Sequence, residues 1–134
     1  MIRKAIRKIN ESKTFYLNET TNYYDPRIKQ YVNELQNTGW QFYVANHTHG
    51  YCNATTKQIV IPAWCLFIHG KGYATWYIAH EMAHAYDMCK SHHGAPFMKQ
   101  LMRICPKEYQ IHEYGYKPEL AMAAGLHIDK ALLM

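Results

Sequence analysis

The spacing of apolar positions changes period several times along this chain. Ile2, Ala5, Ile6 and Ile9 share one helical stripe with Arg3, Lys4, Arg7 and Lys8 opposite, which predicts a short basic amphipathic helix within residues 1–13. Residues 11–24 show no clear period and read as a connection. Asp25 and Pro26 then form a helix start, an N-cap followed by an N1 proline. Ile28, Tyr31, Val32 and Leu35 hold the helical spacing until Gly39 ends it. At Trp40 the period becomes two, with Trp40, Phe42 and Val44 alternating with Gln41, Tyr43 and Ala45 before a turn at 47–50. Residues 51–55 and 58–61 are further β-favouring runs about a tight connection at Thr56 and Lys57, and Pro62 stops the last.

The helical period returns from Tyr73 to about Lys90 and again from Ala95 to Ile104, ahead of Pro106. Two short terminal helices are expected at 119–125 and 128–133. The pattern predicts an α+β fold, a small antiparallel three-stranded sheet packed with helices. No repeat, low-complexity tract or linker divides the chain, so residues 1–134 read as one domain.

Composition narrows the picture. With 49% hydrophobic and 19% charged residues among 134, disorder is excluded, and no apolar run approaches the ~20 residues of a membrane span. The basic N-terminus lacks the apolar stretch of a secretory signal, which predicts an intracellular, cytoplasmic setting and free thiols at Cys52, Cys65, Cys89 and Cys105. No CxxC pair occurs, so neither a zinc ribbon nor a thioredoxin-type site is encoded. Four of the five net positive charges lie in the first 13 residues, leaving the body nearly neutral. Only that segment, through Arg3, Lys4, Arg7 and Lys8, presents a surface for phosphates; the bland alternative is a docked helix with a solvated face.

The candidate chemistry lies at His80-Glu81-Met82-Ala83-His84, an HExxH pattern inside the most strongly helical stretch. Positions i and i+4 share a helix face, so both imidazoles can reach one Zn²⁺ at ~2.0–2.1 Å. Glu81 then flanks the metal, where its carboxylate can take a proton from water. A catalytic site of this kind needs a third protein ligand, and His92 and His93 follow closely, with His112, Glu113 and Glu119 as more distant candidates. Gly94 offers the positive φ that a chain returning over the helix would need, and Pro96 and Phe97 start and anchor the next helix. Asp87 shares the face of the two histidines and is a candidate to orient an imidazole, and Tyr114 and Tyr116 are candidates to stabilise an oxyanion.

The run from His80 to Tyr86, followed by His93-Gly94-Ala95-Pro96-Phe97, resembles the HExxH and downstream HGxxF of the SprT-like zinc metallopeptidases, the family that includes the Spartan proteases. The likeness covers roughly residues 26–105, with a shorter connection from His84 to His93 and without a C-terminal zinc ribbon. It implies a minimal, zincin-like catalytic domain with His80, His84 and His93 as zinc ligands and Glu81 as general base. It also implies a protein or peptide substrate, with DNA as a candidate partner because Spartan proteases act on protein crosslinked to DNA. Compact domains of this type resemble phage-encoded ones. Two other readings are a peptidase for one specific protein without DNA, and a non-catalytic zinc-stabilised binding module. A closed structural site has no use for an unligated carboxylate beside its metal, so Glu81 weighs against the latter.

Overall fold

The computed structural model describes residues 14–16, 22–67 and 69–116. The expected N-terminal helix with Arg3, Lys4, Arg7 and Lys8, the terminal helices at 119–125 and 128–133, and Glu119 all lie outside the described residues. Asp25 is the cap that the sequence predicts. Its Oδ1 accepts the backbone N–H of Arg27 at 2.9 Å, and Pro26–Ile28 form a single 3-10 turn leading into α1, Lys29–Asn37. Gly39, at φ +98°, ends that helix in a conformation that favours glycine.

Asp25 is also a tie between elements. Its backbone N–H donates to Thr75 Oγ1 at 2.8 Å, and its carboxylate pairs with Arg27. The guanidinium holds the carboxyl down at about 2. Asp25→Ala should lower unfolding free energy by ~1 kcal/mol, as loss of an N-cap does. Because the folded pKa is depressed, this contribution is full above about pH 4 and fades as the pH falls towards 2. Denaturant titrations of both proteins at pH 7 and pH 2 check it: the gap should narrow in acid.

The sheet corrects the expected antiparallel meander. Four strands, β1 (Thr14–Tyr16), β2 (Gln41–Ala45), β3 (Tyr51–Asn53) and β4 (Gln58–Pro62), lie in the order β1-β2-β4-β3. β2 runs parallel to β4, Phe42 opposite Ile59 and Val44 opposite Ile61, and β1 comes from the stretch read as a connection. Residues 46–57 carry the chain past β4 to the sheet edge and back, about the dozen residues that a parallel pair requires. The β3–β4 hairpin is as expected: Asn53 Oδ1 accepts the N–H groups of Thr55 and Thr56, and Lys57 takes φ +53°. β4, an interior strand, buries Ile59, Val60 and Ile61 on both faces.

A short helix, α2 (Ala63–Phe67), follows β4 directly and leads to α3 (Lys71–Tyr86). α3 is the centre of the molecule, with Ala74, Ile78, Ala79, Met82, Ala83 and Ala85 all buried, and it packs against the sheet and α4, Ala95–Ile104. Phe97, Met98, Leu101 and Ile104 form the inward stripe of α4, each worth about 1.5–3 kcal/mol of apolar burial. A further 3-10 turn, Lys107–Tyr109, and α5, Ile111–Tyr116, return the chain to the N-terminal half of α3. Among the described residues no helix is long and apolar enough to cross a membrane.

Candidate metal centre

α3 presents His80 and His84 one turn apart on the same face, and the chain after it doubles back to bring His93 against them. One nitrogen from each of the three lies within 4.8 Å of the others. His80 Nε2 and His93 Nε2 are 3.2 Å apart, close to the ~3.3 Å edge of a tetrahedron with Zn–N distances of 2.0–2.1 Å. Phe97 forms the apolar floor, its ring centroid 4.3 Å from that of His84 and 4.9 Å from that of His80. His92, the sequence neighbour in competition with His93, is exposed at the cleft rim and outside this cluster.

The reversal is built differently from the expectation. α3 stops at Tyr86 instead of near Lys90, because Met88 and Cys89 turn left-handed at φ +53° and +55°. His92 supplies the third left-handed residue at φ +55°, while Gly94 is extended at φ −76°. Gly94 is small for another reason: a Cβ there would meet the Ser91 carbonyl oxygen at 3.1 Å. Asp87 does not orient an imidazole; its Oδ2 accepts both the backbone N–H and the hydroxyl of Ser91, at 2.8 and 2.7 Å. Ser91 Oγ in turn accepts the N–H of Phe97, so the turn is braced against the start of α4.

Behind the histidines stands a group that sequence reasoning weighed only as a distant ligand. Glu113, fully buried on α5, faces His80 Nδ1 through Oε1 at 2.5 Å, and the same oxygen accepts the Trp76 indole N–H at 3.2 Å. This bond places the imidazole proton on Nδ1 and leaves Nε2 as a lone pair facing His93. Glu113 Oε2 is buried without a hydrogen-bond partner. A buried carboxylate of that kind is best compensated by positive charge across the imidazole, which a dication on Nε2 would supply.

Glu81 is buried beside the cluster, and burial, aided by Glu113 and opposed by His80, pushes its carboxyl up to about 7. Burial, with the neighbouring His80 and His93, pulls His84 down to about 3, so its imidazole is neutral at pH 7, as a ligand must be. Three imidazoles, one braced by a carboxylate, fit a borderline-soft divalent ion better than a hard oxygen-seeking one. The cluster opens onto a cleft of about 610 Å³ whose walls include β3, Trp64, Tyr73, Tyr77 and Tyr116. Tyr116 is exposed, its ring 5.5 Å from His80 and 5.7 Å from His93, whereas Tyr114 packs against the core. His112 packs edge-on against Tyr73 and tilted against Trp76, apart from the cluster. Comparisons with protein-family models, with curated proteins and with solved structures find no match to this chain.

Proposed function

We propose that this protein is a zinc-dependent endopeptidase of the SprT-like, zincin type. The observation that carries the reading is the pairing of a converging three-histidine cluster with a buried carboxylate, Glu81, that is one residue from a ligand and not itself part of the cluster. Zinc held by His80, His84 and His93 would supply Lewis-acid polarisation of a carbonyl oxygen and acidification of water. Glu81 takes the water proton and returns it to the leaving amine, so no covalent enzyme intermediate is needed. Glu113 holds the proton on His80 Nδ1 and fixes that ring, and the Tyr116 phenol, on a ring 5.5 Å from that of His80, is the candidate donor to a developing oxyanion. β3 ends the sheet order, and its outer edge offers the backbone pairing that would hold an extended peptide across the cleft.

The test is elemental analysis of the purified chain together with cleavage of an unstructured protein substrate, with and without single-stranded DNA. One zinc per chain is expected, with cleavage abolished by a chelator and restored by zinc. Stoichiometric zinc with no cleavage of any substrate would transfer the weight to the zinc-stabilised binding module. A DNA-dependent rate would favour the DNA-associated substrate over a dedicated protein target. Within this reading Glu113→Gln should weaken zinc binding by ~10–100-fold while preserving the fold, since it neutralises the carboxylate that supports His80. Competition with a chromophoric chelator measures the change.

A further inference from the structure

Two cysteines face each other in the wall of the cleft, and the proposed hydrolysis uses neither. Cys52 is the middle residue of β3, opposite Ile59 of β4, and Cys89 sits on the left-handed turn after α3. Their sulfurs are 3.6 Å apart, both half-buried, and the Cys89 thiol also approaches the Cys52 carbonyl at 3.7 Å. Cys65 and Cys105, by contrast, are buried in the core. We infer that Cys52 and Cys89 form an oxidisable thiol pair that closes to a disulfide in the wall of the cleft.

A disulfide has an S–S distance of ~2.05 Å, so the two sulfurs need to approach by roughly 1.5 Å. With a peroxide as oxidant the electrons balance in two steps. A thiolate sulfur attacks one peroxide oxygen, the O–O bond breaks, and hydroxide leaves to become water, giving a sulfenic acid. The second sulfur then attacks the first, the S–S bond forms, the S–O bond breaks, and the proton of the second thiol leaves with the hydroxyl as another water. Burial pushes the Cys52 thiol well above its ordinary range, which disfavours it as the first attacker. A dithiol reductant reverses the product by exchange.

The bond would join elements that no backbone ladder connects. Among the described residues β3 has one strand neighbour, β4, and Cys89 lies on the turn that continues to His93. Oxidation therefore fixes β3 to the segment that carries the third histidine. This inference is independent of zinc and of hydrolysis, and its chemistry is read on the purified full chain without an activity assay.

The experiment is titration of the native chain with hydrogen peroxide, alkylation under non-reducing conditions, and peptide mapping by mass spectrometry. The expected product is a Cys52–Cys89 crosslinked peptide pair lacking two hydrogen atoms and restored by dithiothreitol, with Cys65 and Cys105 uncrosslinked. Cys52→Ser should accumulate a sulfenic acid at Cys89 that dimedone traps, and Cys89→Ser should abolish the crosslink. Recovery of Cys52 and Cys89 as separate alkylated or sulfinic products would overturn the pairing. So would protection of both sulfurs that is relieved only by a chelator, since that result would make them ligands of a soft metal ion.

Discussion

Glu81→Gln is expected to lower peptide hydrolysis by ~10²–10⁴-fold, the contribution of a general base, while zinc content stays at that of the unaltered chain. The amide has the size of the carboxylate but accepts no proton from water. Glu81 is nearly fully buried, and its environment disfavours the charged form, so a neutral replacement should leave the thermal midpoint no lower. Kinetics on an unstructured substrate, with elemental analysis and a melting curve on the same sample, separate loss of chemistry from loss of structure. A variant that cleaves at the normal rate would remove Glu81 from the mechanism.

The second large effect distinguishes adjacent histidines. His93→Ala should cost more zinc affinity than the ~10–100-fold typical of a supporting group, because it removes one of three converging nitrogens. His92→Ala should retain the metal, since that side chain is exposed outside the cluster. Residue 92 has a backbone role instead, at φ +55°, where an L-residue is strained and glycine is not. Competitive chelation of the two variants side by side gives the comparison. Zinc lost on changing position 92 and kept on changing position 93 would place the turn one residue out of register.

Local chemistry explains which elements were legible. The Asp25–Pro26 start, the β3–β4 hairpin about Asn53 and the span of α4 are all set by residues within a few positions of each other. The helical phase of His80 and His84 follows from α3 alone. The parallel pairing of β2 with β4 was not legible, because alternation defines the faces of a strand and not its neighbour. Gly94 drew the turn's positive φ in the sequence reading because glycine takes it most readily. In the structure, Met88, Cys89 and His92 hold that conformation instead, with Ser91 bonded to Asp87 and to the Phe97 N–H. Glu113 shows the same limit at longer range. Nothing near it in sequence marks its role, and only the return of α5 to α3 brings it to His80 from 33 positions away.

The shared Glu113 oxygen couples a chromophore to the candidate metal centre. The Trp76 indole and the His80 imidazole both bond to Oε1, so charge gained or lost at His80 is felt by a chromophore one carboxylate away. Trp76 is buried, and its ring centroid lies 5.5 Å from that of His80. Addition of zinc should therefore change the Trp76 contribution to the intrinsic fluorescence, without a label, and in variants that have no catalytic turnover to report.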